Sequence, residues 1–489
     1  MLLDALRHGY IVMGRDIRLI VFDEAHHTRD NHPYNKIMQE FYFRLPPCQA
    51  DSNGTVRPMI LGLTASPVYA GNVQKDLRYV LVYFRACILF TLIRNSTIEK
   101  HLDSVVCTPS QHQYELSQYV HRPTFRCEMY SLPKDPFSTN LASLQAVERG
   151  LNIEQDPFVI DLRSKLSKST PGSAEYHKLD QRLSKVIDKK DSFTHKGLRD
   201  FVNAASGICS DLGEWAADWF VFTVIQQAKQ AASPYNNFMA SWRQSEKAYL
   251  LQALDMVVVT PVSYHADDID EGCTDKVNVL IEILLSEMAE GYSLNEVYSG
   301  LIFVERRDTV LTLAEVLKHH PRLKDVPFRI GTLLGTSNTT QRHSVMDITR
   351  HLVGESQGDT LESFRDGTLN LIVSTAVAEE GIDIQACGSV IRWDPPQNMK
   401  SWIQSRGRAR KKRSTFTMMY KEGTNQQNSM MKWLEEEKQM LNSICAQSGK
   451  AEFVVENSDD PVEYDGDELM FEVPATGFAS IVISLFHIR

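Results

Sequence analysis

The sequence predicts an α/β protein: two parallel-sheet halves around an all-α insert. Three features carry this. Short apolar runs ending in polar residues open the chain, at 17–22 (IRLIVF, then Asp23-Glu24) and 59–63 (MILGL, then Thr64-Ala65-Ser66-Pro67). The same grammar returns at 300–304 (GLIFV), 369–373 (LNLIV) and 390–393 (VIRW, then Asp394-Pro395-Pro396). Between the two halves glycine is rare and apolar residues recur at helical spacing.

Each element has its own reason. A mostly apolar run of four to six residues, followed by polar ones, suits a buried strand, and α/β sheets place ligands at those C-terminal ends. Residues 212–228 (LGEWAADWFVFTVIQQA) read as one buried helical stretch, and 178–190 as a charged helix. Residues 278–285 suit a helix, and 430–444 a charged amphipathic one. The run 451–472 holds nine acids and no Lys or Arg, so it reads as a linker or an acidic surface. The expected divisions are 1–110, 111–265 (the helical insert), 266–425, 426–450 (a helical arm) and 451–489.

The length of 489 residues suggests about three domains at ~150 residues each. With 43% hydrophobic and 23% charged residues, collagen-like, disulfide-scaffold and largely disordered classes are excluded. The net charge of −10 argues against a uniformly basic coat and leaves room for a local basic groove. The eight cysteines form no CxxC pair and no zinc spacing, as expected of reduced thiols in an intracellular, cytoplasmic or nuclear, compartment. The start MLLDALRHGY lacks the apolar core of a signal peptide. The most apolar run, 79–93, carries Arg85 and is shorter than the ~20 residues of a membrane span, so no membrane segment is expected.

Four constellations can carry chemistry. Asp23-Glu24-Ala25-His26 follows a strand, where one carboxylate can hold Mg²⁺ on a nucleotide phosphate and the next can orient and deprotonate a water. Alone it is a four-letter pattern, equally readable as an acidic helix start. Thr64 and Ser66 can relay between a nucleotide site and a neighbouring domain, or simply make a turn before Pro67. Residues 374–383 (STAVAEEGID) put a hydroxyl and backbone N–H groups at a strand-to-helix turn, suited to nucleic-acid phosphate or to an ordinary βα loop. Gly381 permits close backbone approach and Asp383 could accept from a ribose. Residues 404–413 (QSRGRARKKR) are the strongest basic cluster, arranged to grip phosphate bidentately or to act as a targeting signal.

These four, in this order, resemble motifs II, III, V and VI of superfamily 2 helicases, and GLIFVERR (300–307) resembles motif IV. The spellings VFDEAHH, LGLTASP, IFVERRDTV, STAVAEEGIDIQAC and QSRGRARKKRS closely resemble the helicase region of Dicer-like proteins of filamentous fungi. The helical insert is similar to the one Dicers share with dsRNA-sensing receptor helicases. The stretch LMFEVP (469–474), then Thr476-Gly477, resembles the start of the dsRNA-binding-like, partner-binding fold of Dicers.

The resemblance implies two RecA-like domains, the first truncated, that clamp ATP and Mg²⁺ in an ATP-dependent dsRNA translocase of RNA silencing and antiviral defence. It implies that Asp23 and His26 bind the nucleotide–Mg²⁺ group, that Glu24 positions water, and that Gln404, Arg408 and Arg410 act at the γ-phosphate. The common QxxGRxxR pattern would put Lys411 in the second arginine's place; the Dicer-type spelling QxRGRxR points to Arg410. Gly381 and Asp383 are implied at the nucleotide, Thr64 and Ser66 in interdomain coupling, and Phe303, Arg306, Thr375 and Arg406 at the nucleic acid. Double-stranded RNA is the implied ligand, with a dsRNA-binding protein as a further partner through the C-terminal segment.

The phosphate-binding pattern G-x-x-x-x-G-K-[ST] is absent from these 489 residues, so a piece of a longer protein, inactive alone, is expected. Residues 79–96 interrupt what would otherwise be one amphipathic helix and read as a retained intron or a family-specific helix. The rival readings are a non-catalytic dsRNA- or partner-binding remnant and a DNA branch-point translocase.

Overall fold

A computed structural model of the chain describes residues 1–28, 30–46, 56–64, 102–107, 121–133, 135–231, 243–335, 357–379, 382, 384–437 and 479–482. The chain divides into two compact units: 1–122 with 396–412 and 425–489, and 123–395 with 413–424. The described strands in chain order are β1 (Leu19–Phe22), β2 (Met59–Gly62), β3 (Ser104–Cys107), β4 (Thr124–Tyr130), β5 (Gly300–Phe303), β6 (Ile330–Leu333), β7 (Leu371–Ser374), β8 (Ser389–Arg392), β9 (Thr415–Lys421) and β10 (Ala479–Val482).

In the first unit β1 pairs in parallel with β2, Leu19 against Met59 through Phe22 against Gly62, and β3 pairs in parallel with β10. Ile20, Phe22 and Ile60 point one way and are buried. The register brings the C-terminal ends of β1 and β2 level, Phe22 against Gly62, so the DExH turn and Thr64 both follow directly from paired strand ends.

The second unit is a six-stranded, all-parallel sheet in the order β4-β9-β8-β5-β7-β6. β5, β7 and β8 are buried at every position, as the apolar runs predict for strands covered on both faces. The predicted strand at 369–373 runs Leu371–Ser374, because Asn370 instead bridges backward: its Nδ2 donates to the Pro327 carbonyl and its Oδ1 accepts from Arg329 N.

The segment 111–265, expected to be all helical, is not. Its described part opens with β4, which pairs along its whole length with β9, Thr124 against Thr415 through Tyr130 against Lys421. β4 lies at the sheet edge, and its sequence alternates Thr124, Arg126 and Glu128 with Phe125, Cys127 and Met129, a strand signal inside a segment whose remaining residues read as helical. Helices follow at Thr139–Gly150, Pro157–Lys168, Ala174–Lys189, Phe193–Leu212, Glu214–Ala231 and Gln244–Asp255. The stretch 212–228 is not one helix. Gly213 takes φ 111° and ψ −174°, capping the helix that ends at Leu212, and a Cβ there would collide with the Gly272 carbonyl oxygen.

One continuous apolar core joins this helical module to the sheet, from Phe201, Ile208 and Phe220 through Leu280 and Leu284 to Ile302, Val373 and Trp393. The expected helix at 278–285 lies within Asp275–Ser293, and a helix over 426–437 covers the described part of the expected arm. Residues 79–96 and the acidic run lie outside the described residues. Among the described residues no helix is long and apolar enough to cross a membrane.

Candidate functional site

The DExH turn begins where β1 runs out of partners. Leu63 N donates to the Phe22 carbonyl at 2.8 Å, and Ala25 N donates to the Leu63 carbonyl at 2.8 Å, so β1 and β2 deliver their ends together. Between them Glu24 sits in the left-handed region (φ 50°, ψ 51°), a conformation uncommon for a non-glycine residue. That kink turns the chain into the Ala25–His27 turn and leaves the Asp23 side chain exposed at the strand tip, with Oδ1 accepting from Glu24 N at 3.0 Å.

His26 and Thr64 are buried, and His26 Nδ1 lies 2.8 Å from Thr64 Oγ1. The same nitrogen is 3.3 Å from Glu24 Oε2. One imidazole therefore touches both the carboxylate expected to handle water and the hydroxyl expected to relay between sites. Ser66 lies outside the described residues.

The segment 396–412 belongs to this same unit. Its helix, Met399–Arg406, is capped by Asn398, whose Oδ1 accepts from Ser401 N at 2.9 Å. Gln404 is only 8% exposed, and its Nε2 has no hydrogen-bond partner among the described residues. A buried amide donor left open calls for an explanation, and a ligand oxygen supplies one. Arg408 is almost as buried. Arg410 donates through Nε to the Gly407 carbonyl at 2.7 Å, which holds its side chain near the helix end.

Arg406 is engaged differently from the expectation. Its guanidinium pairs with the buried carboxylate of Glu437, which also accepts from Trp402 Nε1 at 3.0 Å. Trp402 and Trp433 meet edge to face with centroids 5.8 Å apart. Glu437 lies beyond every motif, and only the amphipathic spacing of its helix hinted at an inward face.

In the second unit the strand tips gather the other expected residues. Phe303 ends β5 at 1% exposure, and the Arg392 guanidinium carbon sits 5.2 Å from its ring. Phe303 is thus core, and the nucleic-acid contact expected of it is not made by an exposed ring. Arg306 forms a fork with Asp308 at 2.6 and 3.2 Å. Thr375 is nearly buried, with its N–H donating to the Leu333 carbonyl at 3.2 Å. Arg392 pairs with Glu379 and donates through Nε to the Asp394 carbonyl at 3.1 Å. Gly381 and Asp383 lie outside the described residues. Arg392 was missed; the signal was a lone charge inside an otherwise apolar strand run.

Among the described residues no group of three or more His, Cys, Asp or Glu side chains could hold a metal by itself. A Mg²⁺ ion at Asp23 would therefore need phosphate or water oxygens to complete its shell, which suits an ion that keeps few protein ligands.

Residues 275–412 match the family model for the helicase conserved C-terminal domain. The chain is 34% identical over 426 residues to Dicer-like protein 2 of Aspergillus fumigatus, covering 86% of this chain and 27% of that protein. It is 32% identical over 494 residues to Dicer-like protein 2 of Aspergillus oryzae, covering 99% of this chain and 32% of that one. Against Dicer-like protein 2 of Cryphonectria parasitica the identity is 32% over 421 residues, covering 84% and 26%. The chain thus spans about a quarter to a third of the length of these relatives. Among solved structures it is similar to the Pyrococcus furiosus Hef helicase domain, at 19% identity over 88% of this chain and 76% of that one; the TM-score of 0.37 is too low to bear on the assignment. Over most of its length the chain is similar to the Dicer-like protein 2 of these fungi, and its residues 275–412 match the helicase conserved C-terminal domain.

Proposed function

We propose that this chain is the ATP-dependent dsRNA helicase, or translocase, region of a Dicer-like endoribonuclease acting in RNA silencing and antiviral defence. The observation that carries the reading is the buried contact between His26 and Thr64, which joins the DExH turn to the end of the neighbouring strand. A turn that only capped a helix would not need it.

The residues present fit ATP with Mg²⁺. Asp23 offers hard carboxylate oxygens at an exposed strand tip, and Gln404 offers an open buried donor. Bound ATP supplies the phosphoryl group whose transfer to water releases the driving free energy. Asp23 would hold the ion, with His26 beside it. Glu24 would orient the water and accept its proton. His26, linked to Thr64, would hold Glu24 in its left-handed pose. Gln404, Arg408 and Arg410 would act at the γ-phosphate, and Gly381 and Asp383 at the nucleotide. Thr64 and Ser66 would carry nucleotide state to the neighbouring domain. Arg306, Arg406 and Thr375 would serve the RNA backbone, whose recognition is led by shape. A dsRNA-binding protein would engage 451–489.

The 489 residues contain no G-x-x-x-x-G-K-[ST], so this polypeptide by itself is expected to turn over ATP slowly or not at all while still binding duplex RNA. Phosphate release with dsRNA and gel-shift competition between dsRNA and branched DNA test the proposal together. Preference for dsRNA, with turnover appearing only when a phosphate-loop segment is fused upstream, is the expected result. Preference for branched DNA would overturn the substrate class, and robust turnover by the unfused chain would overturn its inactivity.

A further inference from the structure

A buried lysine that no motif explains ties the second unit together. Lys276, at the start of the Asp275–Ser293 helix, is 2% exposed. Its ammonium lies 4.3 Å from the ring centre of Trp393 and 5.0 Å from that of Tyr130. It reaches Asp394 Oδ1 at 3.4 Å and Asp211 Oδ1 at 3.8 Å. These partners come from three places outside its own helix: the last turn of the Phe193–Leu212 helix, β4, and the residues just after β8.

Asp394 is itself a junction. Its Oδ2 accepts from Glu305 N at 2.8 Å, which fixes the turn after β5. Its carbonyl accepts from Arg392 Nε, and Arg392 is paired with Glu379 just beyond β7. A continuous set of polar contacts therefore runs from Glu379 through Arg392, the Asp394 carbonyl, the Asp394 carboxylate and Lys276 to Asp211 on the helical module. On a parallel path, a Cβ at Gly207 of that helix would come within 3.0 Å of the Arg306 guanidinium, so the helix approaches the β5 turn closely.

Uncharged side chains in place of Lys276 and its two carboxylates together would fill this volume without the cost of burying charge, and such replacements of whole buried ion pairs are often neutral or stabilising. What an ammonium adds is direction: it accepts one arrangement of two carboxylates and two ring faces. We propose that Lys276 is a positioning residue that holds the helical module and the strand-tip turns at Glu305 and Glu379 in one fixed arrangement, so that a ligand-driven shift at either is felt at the other. The inference rests on the reading of those strand tips as ligand-facing; the coupling itself needs no ligand.

Hydrogen exchange on the whole chain tests it. Lys276→Met should speed exchange about ten-fold or more both at residues 375–379 and in the last turns of Phe193–Leu212, while the Ala174–Lys189 helix keeps its protection. The variant Lys276→Met/Asp211→Asn/Asp394→Asn, which leaves no unpaired buried charge, should show the same two-site effect in a folded protein, so misfolding of the single variant does not decide the matter. Acceleration confined to the residues beside 276, or spread evenly over the whole unit, would overturn the proposal, as would wild-type protection in the triple variant. Because neither ATP nor RNA enters the measurement, a chain that shows the coupling and prefers branched DNA would overturn the proposed substrate and leave this inference standing.

Discussion

His26 Nδ1 stands 2.8 Å from Thr64 Oγ1, so the turn after β1 and the end of β2 are joined by a buried side-chain contact as well as by the sheet ladder. Removing the hydroxyl while keeping the shape leaves the imidazole facing a methyl group. Thr64→Val should therefore lower the stability of the first unit by about 1 kcal/mol, the usual net worth of one hydrogen bond, with Glu24 Oε2 still 3.3 Å from His26 Nδ1. Chemical denaturation of the chain measures this. In a longer form that turns over ATP, the same change should lower turnover with ATP binding nearly unchanged; a change in binding alone would contradict the relay.

Arg406 and Glu437 make a second separable case. Glu437 is buried and holds both Arg406 and Trp402. Arg406→Ala strands its carboxylate, which costs about 3–5 kcal/mol in comparable buried pairs. Arg406→Ala/Glu437→Gln keeps an acceptor for Trp402 and should recover most of that loss. If RNA affinity recovers along with stability in the double variant, Arg406 acts by supporting its helix; if affinity stays low, it also touches phosphate.

Glu287 gives the second unit a pH dependence. Burial pushes its carboxyl above the ordinary glutamate range, although Thr415 Oγ1 donates to it at 2.5 Å and Tyr298 lies 3.4 Å away. A raised folded-state value means the protonated form is favoured by folding. That contribution is complete below the ordinary glutamate value and is lost as pH rises through the raised one. Glu287→Gln should thus flatten the stability–pH curve above the ordinary glutamate range and should not destabilise the protein at neutral pH. Thermal unfolding from pH 4 to 8 tests the sign; a loss of stability in the variant growing toward alkaline pH would contradict it.

Gly213 divides two helices and has no room for a side chain. Its positive φ and the Gly272 carbonyl oxygen both oppose a Cβ. Gly213→Ala should cost about 1–3 kcal/mol from backbone strain, and more from the collision. The loss should appear as a lower melting temperature with the core of the helical module opening first in hydrogen exchange.

Five of the ten described strands (β1, β2, β5, β7 and β8) were legible in the sequence, with the DExH turn and Thr64 at their ends, the helical character of most of the middle segment and the family resemblance. These are local signals: apolar runs, polar residues at strand ends, and short motifs whose chemistry depends on neighbours in the chain. The tertiary structure set Thr124–Tyr130 in the sheet beside β9; the polar–apolar alternation of that run was a strand signal outweighed by the helical spacing of the residues that follow. It also placed Glu437 under Arg406, Arg392 against Glu379, and Lys276 among Trp393, Tyr130 and two aspartates. A charge is tolerated in a protein interior only where partners distant in sequence converge on it, and spacing along the chain does not report that convergence.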